Sequence, residues 1–345
     1  MLRELNGMAE QPKTTNLTIK DVARALNVST TTVSRAISGK GRIGEDTARR
    51  VREYIQEHNY VPNAIAQSLA DQKTYNIGVI VPELDAMDSH AFFRSCVTGV
   101  CRELSDTLYD VLMIIDEDGD GGKLARALER GKLDGAIVSR AHVRGKSTTR
   151  LRQAGVPFVL VGFSPDTTIC RVDHDHRAAC AGLTRQLLAG GRELALLGGD
   201  RQLYVTQDRL QGFLDAHRAT GVSVRENRLY FELNNPERME TALDSVLSSG
   251  ARCLVCMDDR ICAMALSLLH HRGLHIPRDV QVASFYDSFT LETYTPAITS
   301  LHFDAQKLGA AACRMLLDQL EGRRASSQET VGYEIALRAS TEQAE

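Results

Sequence analysis

Apolar residues near the start of the chain recur at helical intervals, and those farther on gather in short unbroken runs. Ile19, Val22, Ala23 and Leu26 repeat at i, i+3, i+4 and i+7, which gives a first helix one apolar stripe. Asn27 suits the left-handed turn that ends it. Ser29 is placed to cap a second helix whose inward residues are Val33, Ala36 and Ile37. Its other face shows Thr30, Thr31, Ser34 and Arg35, short polar groups and a guanidinium sized for base edges and phosphates. A third amphipathic helix, about 46–58, turns Val51 and Ile55 inward. Two short helices around a tight turn have the layout of a major-groove DNA reader. A surface helical hairpin shares that pattern, so the surroundings must decide.

From Tyr75 onward the pattern changes. The runs Asn76–Val81, Val111–Ile115, Gly135–Val138, Phe158–Val161, Leu194–Leu197, Cys253–Cys256 and Val280–Phe285 predict strands. Helical periodicity lies between them at 92–105, 177–189, 208–219, 237–249 and 260–272. Fully apolar strands alternating with helices imply parallel sheets covered on both faces, in an α/β core. Such folds bind ligands at the carboxyl ends of their strands.

Charge separates the two regions. Residues 1–72 hold 10 basic and 8 acidic side chains, a net +2, whereas 73–345 hold 31 and 36, a net −5. Between Ser29 and Arg52 there are six basic residues and two acidic ones, Arg42, Arg49, Arg50 and Arg52 among the former. A positive field over the helical module is what DNA phosphates attract. At 345 residues, two or three domains are expected, and 25% charged with 43% hydrophobic residues is ordinary for a globular protein. No apolar run approaches a membrane span, and residues 1–15 lack an apolar signal core, so they read as a disordered extension of a cytoplasmic protein.

The segments TIKDVA, VSTTTVSRAISGKGRI and NYVPNAIAQSLA, in this order and spacing, resemble the lactose-repressor family of bacterial transcription regulators. The resemblance runs on through the core. It implies a helix-turn-helix domain over 16–62, a hinge helix and linker over 63–74, and an effector-binding and dimerisation core over 75–345. That core would be two Rossmann-like parallel-sheet subdomains of periplasmic-binding-protein type, joined by crossovers near 173, 304 and 327. In the family the hinge helix, here Asn63 to Ala70, forms only on DNA; eight residues nucleate poorly alone. Leu69 matches the leucine that wedges into the central minor-groove step. Thr18, Ser29, Thr32, Arg42, Tyr60 and Asn63 match positions near phosphates or the groove wall, and Ala66 also falls in the DNA-binding set. The implied partners are a double-stranded, pseudo-palindromic operator, a second copy of the chain and a sugar-like effector. The tail from Ala325 carries no leucine heptads, so the lactose repressor's four-stranded bundle is not expected.

Other chemistry is weaker. Cys253 and Cys256 form a CxxC, but within an apolar strand and with no second pair at zinc spacing, so reduced thiols are expected. Asp173-His174-Asp175-His176 alternates on an extended segment leading into a helix, a poor metal cradle. No GxSxG, GxxxxGK[ST] or HExxH occurs, and we read no enzyme, metal or cofactor. In the cleft, Arg209 of DRLQGF matches the family's ligand-reaching arginine, whose rigid fork suits hydroxyls or carboxylates. Asp258 matches the acidic end of a strand motif. Met257, Tyr286 and Phe303 replace polar residues common in the family, offering faces for a ring and fewer bonds to hydroxyls. Gly198-Gly199 reads as a turn into the cleft. The leading function is therefore a dimeric transcription repressor under effector control. The alternative is a solute-binding protein of the same core fold feeding a transporter, which would need a signal peptide and leaves residues 16–72 without purpose.

Overall fold

The computed structural model describes residues 17–39, 41–81, 91–116, 122–140, 145–323 and 326–342. The extension expected over 1–15 lies outside the described residues. Compact packing divides the chain between Thr74 and Tyr75 into two units.

The first unit is helical. Helix α1 (Ile19–Leu26) begins where the Asp21 carboxylate accepts from both the Thr18 backbone N–H, at 3.0 Å, and the Thr18 hydroxyl, at 2.6 Å. It ends on Asn27 in the left-handed conformation (φ 52°, ψ 47°). Helix α2 (Thr30–Ser38) starts on Ser29, whose Oγ accepts the Thr32 N–H at 3.0 Å. Helix α3 (Glu45–Glu57) completes the module around Val22, Ala23, Val33, Ala36, Ala48, Val51 and Tyr60. Ile37, expected inward, is 36% exposed, because one turn of α2 buries Val33 and Ala36 and rotates their neighbour out. Helix α4 (Ala64–Asp71) is formed as well, capped by the Asn63 side chain, which accepts the Ala66 N–H at 3.3 Å.

The second unit holds two six-stranded sheets built to one plan. Strands β1 (Asn76–Val81), β2 (Asp110–Ile115), β3 (Gly135–Val138), β4 (Phe158–Val161), β5 (Arg171–His174) and β11 (Gln328–Val331) form the first, in the order β11-β5-β4-β3-β1-β2. Strands β6 (Leu194–Leu197), β7 (Leu229–Tyr230), β8 (Cys253–Cys256), β9 (Gln281–Ser284), β10 (Thr299–Phe303) and β12 (Tyr333–Ala336) form the second, in the order β12-β10-β9-β8-β6-β7. Every pair is parallel except β10 with β12. The tail without heptads thus supplies one edge strand to each sheet.

Helices cover both sheets: α5 (Ala91–Leu104), α6 (Gly122–Glu129) and α7 (Ser147–Gln153) in the first half, then α8 (His176–Ala189), α9 (Tyr204–Thr220), α10 (Pro236–Ser248), α11 (Asp259–His271), α12 (Phe289–Thr293) and α13 (Ala305–Leu320). Helix α13 returns to the first sheet and lies backbone to backbone on α5. A side chain at Gly99 or Gly309 would strike the facing carbonyl, of Gln306 or Cys96, at 2.0 Å. The chain crosses between sheets at Asp175, Asp304 and Gly332. The third crossing comes later than expected, because 328–331 is a further strand of the first sheet rather than connecting chain. Asp175 and Asp304 each cap the helix that follows, accepting the Ala178 and Lys307 N–H groups at 2.9 Å. His174 ties the crossings together: its Nδ1 meets the Val331 carbonyl at 2.9 Å, and its ring lies 4.8 Å from that of Phe303.

Candidate nucleic-acid interface and ligand cleft

In the helical unit, Thr30, Thr31, Ser34 and Arg35 stand exposed on one face of α2. The sequence brings them there because Val33 and Ala36, a helical step apart, take the core side. Ser29 and Thr32 are already engaged, their hydroxyls 2.8 Å apart. The Thr18 hydroxyl is given to Asp21, and this donation, with that of the Thr18 backbone, holds the Asp21 carboxyl below its ordinary range. Tyr60 is 7% exposed and belongs to the core of the helical unit. Arg42 is exposed on the loop before α3, and Arg49 pairs with Asp46 at 2.6 Å. On α4, Ala66 is exposed and Leu69 is 82% exposed, an apolar side chain turned wholly to water.

In the second unit, a cleft enclosing about 900 Å³, its open mouth included, lies at the carboxyl ends of the parallel strands of both sheets. Ser139 follows β3, Phe163 follows β4, Asp173 is on β5, Gly199 follows β6, Asp258 follows β8 and Tyr286 follows β9. Phe92 and Phe93 of α5 and the first turns of α9 close the sides.

Arg209, on α9, is 7% exposed. It donates through Nη1 to the Met257 carbonyl, its Nε has no partner, and its guanidinium lies 5.9 Å from the centre of the Tyr286 ring. Ser139 Oγ and His176 Nδ1 in the cleft are likewise buried without a hydrogen bond. Burial pushes the Asp173 carboxyl up to about 7, helped by Asp208 and opposed by the His174 backbone N–H, Arg209 and Arg171. The His176 imidazole, its Nε2 3.5 Å from Asp173 Oδ1, is pushed well down by burial and by Arg209. Asp258 caps α11, accepting the Ile261 N–H at 2.8 Å.

Arg209, Asp258 and Tyr286 are therefore brought together on the cleft wall, whereas Met257 and Phe303 stand behind it. Met257 still bonds in the ladder, its N–H to the Leu197 carbonyl at 2.8 Å. Its sulfur packs where a side chain at Gly198 would lie, 2.8 Å from that ideal Cβ, and this explains the bare glycine. Phe303 is 4% exposed, enclosed by the rings of His174, His176, Tyr286 and Tyr333. Sequence reasoning missed Phe92, Phe93 and Phe163, and read Asp173 and His176 only as part of a segment leading into a helix. For Phe163, Asp173 and His176 a position at or just after a strand end was the available signal.

All eight cysteines are free, with Cys253 and Cys256 buried in β8. Among the described residues no group of three or more His, Cys, Asp or Glu is gathered as a metal ion requires, and no helix is long and apolar enough to cross a membrane.

Residues 18–63 match the bacterial regulatory proteins of the lacI family, and residues 185–341 match the periplasmic binding protein-like domain. The regulator MalR of Streptococcus pneumoniae serotype 4 is 32% identical over 219 residues, 62% of this chain and 67% of its own length. The chain belongs to the LacI family of DNA-binding transcription regulators. Another LacI-family relative, the repressor PurR of Actinobacillus pleuropneumoniae serotype 3, is 26% identical over 333 residues, 94% of this chain and 98% of PurR. Two solved structures share the fold. The regulator CelR in complex with cellobiose has a TM-score of 0.71 at 24% identity, and the Lac repressor dimer bound to operator and the anti-inducer ONPF has 0.78 at 20%. Each alignment spans 94% of this chain and 99% of the other.

Proposed function

We propose that this LacI-family chain is a transcription repressor that grips a pseudo-palindromic operator as a homodimer and answers to a small ligand in the cleft. The ligand is a sugar, a glycoside or a sugar derivative. The observation that carries the ligand half is the cleft itself, where Ser139 Oγ, His176 Nδ1 and Arg209 Nε are buried without partners. Buried polar atoms in proteins are nearly always bonded, and their concentration in one concave site marks a place for a ligand's oxygens. Phe92, Phe163 and Tyr286 add faces for a ring. Relatives named as repressors, and the family member bound to cellobiose, support the same reading.

On DNA, Thr30, Thr31, Ser34 and Arg35 read major-groove edges, with Arg35 on a guanine. Thr18, Ser29, Thr32, Arg42, Tyr60 and Asn63 approach phosphates, and Ala66 and Leu69 face the minor groove. An exposed leucine on a short capped helix suits a wedge between base pairs at a flexible pyrimidine–purine step. Ligand binding biases two relative orientations of the lobes, which permit or prevent paired hinge helices. The protein acts in the cytoplasm, where its operator lies.

A gel shift and a bending assay on DNA upstream of the protein's own coding region test this. The wild-type chain should bind specifically and bend the site. Leu69→Ala should bind more weakly and leave it straight, with the fold unchanged, since this side chain is 82% exposed. A wild-type bend angle in that variant removes the wedge; no specific shift on any upstream segment removes the autoregulated operator.

A further inference from the structure

We propose that the three crossings form a proton-responsive hinge, in which proton uptake by His174 and His176 parts the two lobes. Such a hinge works whether or not the cleft holds a ligand.

Every crossing contributes a ring to one knot. His174 ends β5 and His176 begins α8 on either side of Asp175, Phe303 ends β10 before Asp304, and Tyr333 begins β12 after Gly332. The Phe303 ring lies 4.8 Å from His174, 4.7 Å from His176 and 6.2 Å from Tyr333, and the two imidazoles are 5.9 Å apart. His174 and His176 are both buried. His174 Nδ1 donates to the Val331 carbonyl, while His174 Nε2 and His176 Nδ1 have no partner among the described residues. A second proton on either ring therefore makes a buried charge whose new N–H has no acceptor.

The charged neighbours do not relieve that cost. Asp173 on β5 accepts the His174 N–H at 2.8 Å and is pushed up to about 7 by burial, so below that pH it is mostly protonated itself. Asp175 and Asp304 cap α8 and α13, and Asp304 also pairs with Lys307 Nζ at 3.0 Å. Arg171 on β5, with Asp208 and Arg209 on α9, faces Asp173. Asp200, Asp258, Asp259 and Arg140 line the cleft with His176. The sum still pushes both imidazoles down. Burial leads for each and Arg209 reinforces it, opposed at His174 by the Val331 and Gly332 backbone and by Asp304.

The neutral rings belong to an arrangement in which the lobes meet. Phe163, after β4, has its ring 5.5 Å from that of Tyr204 on α9, and Phe92 of α5 lies 6.1 Å from Tyr286. A hydrated imidazole titrates near pH 6.5, so mild acid favours the arrangement that lets water reach both rings.

Hydroxyl-radical footprinting of the full-length protein between pH 8 and pH 5.5 reads the opening at Tyr286 and Phe303, both buried, with Phe213 inside the second lobe as the control. Over that range each hydrated imidazole favours the open form by about tenfold, and the pair by up to about a hundredfold. Labelling of Tyr286 and Phe303 should rise at least about twofold in wild type and stay flat in the double variant His174→Gln with His176→Gln. Asp173→Asn should rise more steeply than wild type, because opening no longer releases the proton that Asp173 holds while the lobes meet. Flat labelling in wild type, an equal rise in the double variant, or a rise shared by Phe213 overturns the proposal. If the double variant does not fold, Asp173→Asn decides: a rise no steeper than wild type overturns it.

Discussion

The Asp287 carboxylate and the Arg338 guanidinium lie side by side, Oδ1 accepting from Nη1 at 2.8 Å and Oδ2 from Nη2 at 2.7 Å. Nη1 also donates to the Ile298 carbonyl and the Ser300 hydroxyl, both at 2.8 Å. The acid in the segment ASFYD is therefore turned away from the cleft and fastens the chain after β12 to that after β9. Its neighbour Tyr286 takes the cleft side, as successive residues leaving a strand do.

Asp287→Ala should cost about 3–5 kcal/mol, because it leaves a mostly buried guanidinium without its partner. Urea unfolding followed by circular dichroism measures it, and a transition unmoved from wild type would contradict the structural role. Ligand affinity of the chain that remains folded should not change.

Two neighbouring residues of the reading head should respond oppositely. Ser29→Ala removes the cap of α2 and should lower the stability of the helical unit by about 1 kcal/mol. Arg35→Ala, on the exposed face, should leave stability within about 0.5 kcal/mol. It should instead lose about 1–3 kcal/mol of base discrimination, a 5- to 150-fold drop in the specific over non-specific affinity ratio. Filter binding at fixed salt with operator and scrambled DNA reads that ratio; an unchanged ratio takes Arg35 off the bases.

Arg209→Ala and Met257→Asn separate the cleft wall from what lies behind it. The first should lower ligand affinity about 10- to 150-fold, the worth of one charge-assisted hydrogen bond, and keep operator affinity. The second buries an amide at a position 1% exposed and should cost about 1–3 kcal/mol of stability without changing ligand preference. Calorimetry and thermal unfolding on both chains distinguish the outcomes. A new preference for hydroxyl-rich sugars in Met257→Asn would return that side chain to the wall.

Asp173 should make stability pH-dependent. In the fold its carboxyl keeps a proton up to about 7, against 3.8 for the free group, so the folded chain binds the extra proton between those values. Stability from this group is present below about pH 4 and is lost as pH rises to about 7. The facing His174 and His176, pushed down by burial, act the other way, withdrawing stability as pH falls below about 6.5. Arg171, Arg209 and Asp208 complete the surroundings. Asp173→Asn removes only the first slope, so its melting temperature should exceed wild type by more at pH 8 than at pH 5. Equal differences at both would show that Asp173 ionises normally.

Much of this was legible in the sequence. The runs at 76–81, 135–138, 158–161, 194–197 and 253–256 are strands with the bounds their apolar residues mark, since a strand covered on both faces has no polar position to blur it. Strands β5, β7, β10, β11 and β12 were not legible: Arg171, His302, Gln328 and Glu334 interrupt four of them, and β7 is only two residues long. In the cleft, Arg209 and Tyr286 were found through matched motifs. Met257 and Phe303 were misplaced because a motif gives position along the chain, while the side of the strand a residue faces depends on a twist the motif does not record. Phe92, Phe93 and Phe163 escaped because contacts between lobes join residues far apart in sequence.

The last strands of both sheets, 328–331 and 333–336, come from one short stretch near the end of the chain. During synthesis, the helices that read DNA emerge early, and about 270 further residues must be made before either lobe has its edge. At 5–20 residues per second that interval is on the order of 15–55 s. Within it β5 is an open edge from its own synthesis until that of 328–331, and β10 for a shorter time until that of 333–336, each able to pair with a foreign strand. Synthesis that stops before residue 328 therefore yields completed N-terminal helices on a core whose two sheets each lack their last edge strand.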